Sequence, residues 1–216
     1  MTRSSLVLSL TVAGCAALAV SAPLAAPRAG GGAAPKPLRA AADTASLPRR
    51  VVEELTSFAN PGPPHRGFEY FAGRWTTRTR AWADPDAKPA EFAGGAEYRT
   101  ILGGRFLQLE SRAQVGDVES HGLGFYGYDN FKEKYSFYFI HDGDTQALAG
   151  FGASDPPGRQ ITFEVPMDMP TTGEHARPMR AVLRQLGPDR HAFEMFEKQA
   201  DGRDWKVLEI AYERVK

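Results

Sequence analysis

From about residue 74 onward, apolar and polar positions alternate in short runs, the pattern of half-buried β-strands. Strands are predicted near residues 74–83, 90–101, 104–114, 117–128, 134–141, 145–153, 159–166, 178–187, 190–199 and 204–215. Glycine, proline, aspartate and asparagine occupy the gaps, as in Gly116-Asp117 and Asp201-Gly202. About ten short antiparallel strands without helix-length gaps indicate a sandwich or an up-and-down barrel. The barrel is favoured because closure leaves no exposed sheet edge.

The last strand shows the alternation best. Leu208, Ile210 and Tyr212 share an inward face, and Arg214 continues that phase at the strand's end. Since a barrel places its first and last strands side by side, Arg214 is predicted to lie over Trp75 in a cation–π contact that closes the barrel.

Short helices are predicted before the barrel, within residues 46–72. The segment Leu47–Phe58 places its apolar residues on one face, and Pro48 suits a first helical position. The proline-rich segment Asn60–Pro64 ends this helix, and a second short turn follows over His65–Phe71. The predicted fold class is therefore all-β with one or two short N-terminal helices.

Residues 1–22 resemble an export signal. One arginine and the apolar run Leu6–Ala13 precede Val12-Ala13-Gly14-Cys15, which looks like a bacterial lipobox whose cysteine is lipidated. Two alternatives stay open: ordinary signal cleavage further on, which the prolines after Ala22 and Ala26 disfavour, and an uncleaved anchor over Leu6–Ala26. All three predict an exported protein that is periplasmic or attached to the envelope as a lipoprotein, with secretion as the alternative.

Residues 23–45 are rich in alanine, proline and glycine and show no hydrophobic period, so a flexible tether is predicted there. The barrel domain is then assigned to residues 73–216. Lysine plus arginine equals aspartate plus glutamate, 26 against 26, and this balance does not favour a nucleic-acid partner. Contact with a membrane is expected only through the signal or a lipid anchor.

Several segments resemble an uncharacterised bacterial family, domain of unknown function 1579, whose members are lipocalin-like (calycin-type) barrels. The matching segments are Gly73–Trp75, Ile101–Leu107, Gly122–Asn130, Lys134-Tyr135, Glu209–Tyr212 and Arg214. The resemblance covers roughly His65 to the C-terminus and implies architecture, with no established activity. A tryptophan–arginine plug at the closed end is a feature of lipocalins, which agrees with the predicted pair of Trp75 and Arg214.

The candidate ligand-binding residues are polar or aromatic side chains of the predicted strands. Arg105 follows a glycine turn; it is either a plain strand-end arginine, which we favour, or a group at the barrel mouth that holds an anionic head group. His121 and His141 are the best candidates for polar groups in the lumen, although solvent-facing positions are the simpler interpretation. The aromatic candidates are Tyr126, Tyr135 and Phe137.

No motif for catalysis, metal binding or a cofactor is recognised. The five histidines do not show zinc-ligand spacing, and no G-x-S-x-G motif or Cys–His pair is present. Haem, bound by a related barrel group, is not favoured because Trp75 is followed by Thr-Thr-Arg-Thr; His191 or His121 would be the residues to test.

Three functional hypotheses follow. The first is an exported barrel that binds a small apolar or amphipathic ligand in its lumen. The second is an enzyme that uses the same cavity, with His121, His141 and Arg105 as its candidate groups. The third is a structural or partner-binding envelope protein.

Overall fold

The computed structural model describes residues 48–154, 159–199 and 201–216. Two helices come first, α1 (Arg49–Ala59) and α2 (Pro63–Arg66), and a 3-10 turn over Gly67–Tyr70 follows α2. The strands are β1 (Gly73–Ala81), β2 (Ala90–Ile101), β3 (Phe106–Val115), β4 (Val118–Asp129), β5 (Lys134–His141), β6 (Leu148–Ser154), β7 (Gln160–Met169), β8 (Glu174–Gly187), β9 (Arg190–Lys198) and β10 (Asp204–Arg214). The export signal, the tether and Cys15 lie outside the described residues.

The ten strands form one closed, antiparallel up-and-down barrel. Each strand pairs with its neighbours in the chain, and β1 closes the circle against β10, with Trp75 opposite Arg214 and Ala81 opposite Leu208. The predicted fold class is therefore confirmed. An up-and-down path places alternate turns at opposite ends, so the β2–β3 and β4–β5 turns share one end with the start of β1.

Helix α1 is amphipathic, and none of its residues is buried. The carbonyl of Pro48 accepts hydrogen bonds from the amides of Val51 and Val52, so Pro48 precedes the first helical residue. Arg49 Nε and Glu53 Oε1, one turn apart, lie 2.7 Å from each other. No helix among the described residues is long and apolar enough to span a membrane.

The hairpin of β7 and β8 is longer than its sequence pattern predicts. Strand β8 begins at Glu174 instead of near residue 178, and Pro166 stands directly opposite Pro178. Pro166 lies beyond the part of β7 that pairs with β6, and Pro178 lies before the part of β8 that pairs with β9. Their missing N–H groups therefore interrupt neither of those ladders, which is why the hairpin tolerates them.

Aromatic side chains fill the end of the barrel at which β1 begins. Phe68 and Phe71, from the turn after α2, are each 1% exposed, as are Trp75 and Tyr98. We call this the closed end. The opposite end, where β3 turns into β4 and β5 into β6, is called the rim.

Candidate ligand-binding site

A cavity of about 100 Å³ lies inside the barrel on the rim side. Strands β1 to β6, β9 and β10 line it, whereas none of its described lining residues comes from β7 or β8. On the β7–β8 side, Phe163, Val165 and Leu183 are fully buried and fill the interior. The lumen is thus packed on one side and open on the other.

The cavity walls are mainly apolar. Leu109, Phe137, Phe139, Phe193 and Ile210 contribute side chains from four strands. Several polar residues line the cavity toward the rim, among them Thr79, Ser111, Ser120 and His141. An apolar interior with a few polar groups is the usual composition of a small-molecule site.

Gly122 allows an aromatic ring to reach the wall of the cavity. It pairs with His141 on β5, and its missing side chain would point inward. A Cβ atom at this position would collide with the ring of Phe139 and approach Ser111 Oγ at 2.7 Å. Glycine is therefore needed here for close packing and not for its backbone angles.

Three tyrosines form the floor of the cavity. Tyr126 and Tyr212 line it directly, and Tyr98 lies behind them with ring centroids 6.4 Å and 6.0 Å away. Burial raises the pKa of Tyr212 to about 12. Burial also raises the pKa of Tyr98 and of Tyr126 well above the usual value. The floor therefore carries neutral hydroxyl groups.

His191 is buried beside this floor and is 0% exposed. Its ring stacks on Tyr212 at 4.0 Å and meets Trp75 edge-on at 4.3 Å. Neither ring nitrogen has a hydrogen-bond partner among the described residues. Burial, and secondarily the nearby charge of Arg214, lowers the pKa of His191 to about 3. The imidazole is therefore neutral at physiological pH.

The closed end is held by Arg214. Its guanidinium lies 4.1 Å from the centroid of the Trp75 ring, so the contact expected from the sequence is present. Arg214 also donates hydrogen bonds to the carbonyls of Ala72 and Tyr70, at 2.8 Å and 2.6 Å. Trp75 Nε1 donates to the carbonyl of Phe71 at 2.7 Å. These bonds fix the turn after α2 across this end.

The two histidines near the rim face opposite sides of the wall. His141 points inward; its Nδ1 accepts a hydrogen bond from the amide of Gly143, and its Nε2 lies 3.7 Å from Asp144 Oδ1. The side chain of His121 is 49% exposed, and its Nε2 lies 3.4 Å from a carboxylate oxygen of Glu119. Of these two, His141 is the one that points inward, and His121 lies at the edge of the cavity.

Arg105 lies far from the cavity. It follows the β2–β3 turn at the closed end, where its Nη1 donates to the carbonyl of Leu102 at 3.1 Å. A place at the cavity mouth or in the lumen, the less favoured interpretation, does not agree with this position, because the up-and-down path puts the turn at the end opposite the rim. The strand-end arginine, the interpretation favoured from the sequence, agrees with it.

The aromatic candidates are distributed between the cavity and the closed end. Tyr126 and Phe137 line the cavity. Tyr135 is 3% exposed and packs instead between Tyr128 and Phe68, with ring centroids at 4.9 Å and 6.1 Å. The structure therefore brings Tyr126, Phe137 and His141 to one cavity, with His121 at its edge.

Three residues of the floor and the closed end are absent from the ligand-binding candidates predicted from the sequence. The alternation of β10 places Tyr212 inward, and Tyr98 and His191 share the phase of core residues on β2 and β9. Arg112, by contrast, is outward on β3, and alternation alone cannot place it near a cavity.

A groove on the outer surface adjoins the cavity. The two spaces share five lining residues, which are Ser111, Arg112, His121, Gly122 and His141. The groove also touches Glu110 and Asp142, and Arg112 brings a guanidinium to it. Within the described residues, no three potential metal ligands cluster together.

The fold and the cavity define a closed barrel with a partly open lumen. The chain belongs to the family described as "Protein of unknown function (DUF1579)", whose profile matches residues 60–214. The match spans the turn at the closed end and all ten strands. No curated protein matches the chain.

Similar solved structures include natural and designed proteins. Rv2717c from M. tuberculosis is 14% identical, with a TM-score of 0.49, over 73% of this chain and 100% of that chain. The S-type phycobiliprotein lyase CPES from Guillardia theta is 10% identical, with a TM-score of 0.49, over 72% and 99%. A de novo designed fluorescence-activating β-barrel is 16% identical, with a TM-score of 0.39, over 69% and 97%.

Proposed function

We propose that this protein is an exported barrel that binds a small apolar or amphipathic molecule in its lumen. The observation that carries the proposal is the apolar cavity of about 100 Å³ on one side of an otherwise filled barrel. Export is supported by the signal-like residues 1–22 and the lipobox at Cys15.

The cavity is an exception to the packing of the rest of the interior, since protein interiors normally pack as densely as organic crystals. An apolar group inside it would contact the surrounding side chains and gain dispersion energy from them. The space of about 100 Å³ among apolar walls therefore supports binding as the role of the cavity.

The dimensions limit what the cavity accepts. Typical drug-sized pockets measure about 300–1,000 Å³. A ligand enclosed in the lumen is therefore smaller than that class, whereas a longer amphipathic molecule would extend over the rim into the outer groove. Arg112 and His121 lie in that groove and would meet its polar end.

The enzyme hypothesis requires Arg105, His121 and His141 to lie in one cavity. Arg105 belongs to the closed end, while His121 and His141 belong to the rim, so the three groups do not share a cavity. Binding is therefore the function that the arrangement supports best.

The proposal is tested by a substitution that fills the cavity with a larger side chain. Ala113 lines it on β3, and Gln114, the next residue, points outward. We expect Ala113→Trp to occupy the space and remove at least about 90% of the binding of toluene, the probe, measured by titration calorimetry. Gln114→Trp, the matched control on the outer face, should bind toluene as the wild type does.

Native mass spectrometry of the gently purified full chain gives a second readout. Wild type and Gln114→Trp should retain a co-purifying small molecule that Ala113→Trp lacks. The proposal is overturned if the wild type carries no such molecule and does not bind toluene. It is equally overturned if a correctly folded Ala113→Trp binds toluene unchanged.

A further inference from the structure

The floor of the cavity contains a hydroxyl group whose hydrogen-bonding capacity is not met. The Tyr98 hydroxyl has no hydrogen-bond partner among the described residues, and the residue is 1% exposed. It nevertheless lies near enough to the hydroxyls of Tyr126 and Tyr212 that the groups shift each other's pKa. Leaving a buried hydroxyl without a hydrogen bond is unfavourable. Because Tyr126 and Tyr212 line the cavity and Tyr98 does not, their hydroxyls are the ones that a polar atom entering the cavity could reach.

The floor is electrically neutral. The tyrosines stay protonated because burial raises the pKa of each. Arg214, the nearest cation behind the floor, is already engaged by Asp189 at 3.3 Å and by two backbone carbonyls. A charged ligand group brought to the floor would lose its hydration without gaining a counter-ion. The inner end of the ligand must therefore be neutral and able to form hydrogen bonds.

The walls above the floor fit a flat ring. Phe137 and Phe193 line the cavity with their ring centroids 5.6 Å apart, and Leu109 and Ile210 complete an apolar enclosure. An apolar cavity of about 150 Å³ in another protein accommodates benzene. The space here is smaller, about 100 Å³, so one ring is the largest group that it takes, with part of the molecule extending toward the rim.

We propose that the ligand is a neutral single-ring compound that carries one hydroxyl or carbonyl oxygen. Its ring packs against Phe137 and Phe193, and its oxygen meets the hydroxyls of Tyr126 and Tyr212, with Tyr98 behind them. This inference rests on the proposed lumen-binding function and specifies the ligand of that site.

Two probes of nearly the same shape test the inference on the full chain. Toluene fills the apolar walls, and p-cresol adds one hydroxyl that can reach the tyrosines. We expect the wild type to bind p-cresol at least as tightly as toluene by titration calorimetry. In Tyr126→Phe and Tyr212→Phe, the affinity for p-cresol should fall about fivefold to tenfold, the effect of one lost hydrogen bond, while that for toluene stays unchanged.

Tyr138→Phe is the matched control, because Tyr138 lies on β5 and is 42% exposed on the outer surface. It should leave both affinities unchanged. If both floor variants keep the wild-type ratio of the two affinities, the inference fails while lumen binding stands, and the floor hydroxyls bind water instead. If the wild type binds neither probe, the proposed function fails as well. Thermal unfolding shows whether a floor variant has lost its fold. If one has, the affinities of the other floor variant for the two probes decide between these outcomes.

Discussion

His191 combines a basic side chain with an aromatic cage. Tyr212 stacks on one face at 4.0 Å, while Phe71 and Tyr98 approach edge-on at 5.2 Å and 5.5 Å. Among the described residues no acidic group compensates a charge on this ring, and burial together with the nearby Arg214 opposes one, so the ring is held neutral. Because protonation of this buried ring is unfavourable in the folded state, the free energy of unfolding depends on pH through His191.

Replacing His191 should remove that coupling. The folded state holds the pKa of His191 near 3 against 6.5 when unfolded, so its contribution to stability is complete above pH 6.5 and declines as the pH falls toward 3. Between pH 7.5 and pH 5, this corresponds to a loss of about 2 kcal/mol in the free energy of unfolding. We expect His191→Phe to be less sensitive to pH by that amount in urea titrations.

His175→Asn is the control for this experiment, since the His175 side chain is 84% exposed. It should show the same dependence on pH as the wild type. A His191→Phe protein that loses as much stability at pH 5 as the wild type would contradict the neutral, buried state of this ring.

At the residue scale, alternation predicts which side chains face inward but not what they meet there. It places Tyr126, Phe137 and Tyr212 inside correctly. It does not distinguish Phe137, which faces the cavity, from Tyr135, which packs at the closed end. The end of the barrel at which Arg105 lies is predictable from the sequence. In an up-and-down barrel, alternate turns lie at opposite ends, and the turn before Arg105 belongs to the end at which β1 begins.

At the scale of strands, the turn residues determine how well the boundaries can be predicted. Strand β2 begins and ends at the predicted residues 90 and 101, because the proline-containing loop before it and Gly103-Gly104 after it stop the ladder. Strand β8 begins at Glu174, before the predicted start near residue 178, and it contains Pro178. A proline ends a strand only where its N–H would be needed, and that depends on neighbouring strands.

The seam between β1 and β10 offers a comparison of two arginines. Arg214 lies over Trp75 on the inner side and donates to two backbone carbonyls. We expect Arg214→Ala to lower the free energy of unfolding by about 2–4 kcal/mol, because it removes the cation–π contact and leaves those carbonyls without a donor. Urea denaturation measures the loss, and hydrogen exchange should show faster opening of β1.

The matched control is Arg80→Ala on the outer side of the same seam. Arg80 forms an ion pair with Glu209, but its side chain is 43% exposed, so the loss should stay below about 1 kcal/mol. Equal losses for the two variants would mean that the plug at the closed end adds nothing beyond an ordinary surface arginine.

At the scale of the whole molecule, the fold was predictable and the cavity was not. The strand pattern, together with the pairing of Trp75 and Arg214, is sufficient for a closed barrel. Whether inward side chains meet across the lumen depends on the sizes of all of them, and here Phe163, Val165 and Leu183 are fully buried on the β7–β8 side while the other strands line a cavity. That outcome results from side chains of all ten strands and leaves no local mark in the chain.

Attachment to the envelope is predicted from residues outside the described part of the chain. We expect the full chain, expressed in a bacterial host, to incorporate labelled palmitate and to sediment with membranes, because a lipidated Cys15 would anchor it. Cys15→Ser should abolish the label, and Ser21→Ala, a small change in the same segment, should retain it. An unlabelled wild type would favour ordinary cleavage or an uncleaved anchor.

The chain enters and leaves the barrel at the same pole. Strand β1 begins and β10 ends beside the Trp75–Arg214 contact, whereas the cavity reaches the opposite pole. A resin or a fluorescent fusion partner joined after Lys216 therefore connects to the barrel at the pole away from the entrance. Capture experiments can immobilise the barrel by its C-terminus and still present the entrance to molecules in solution.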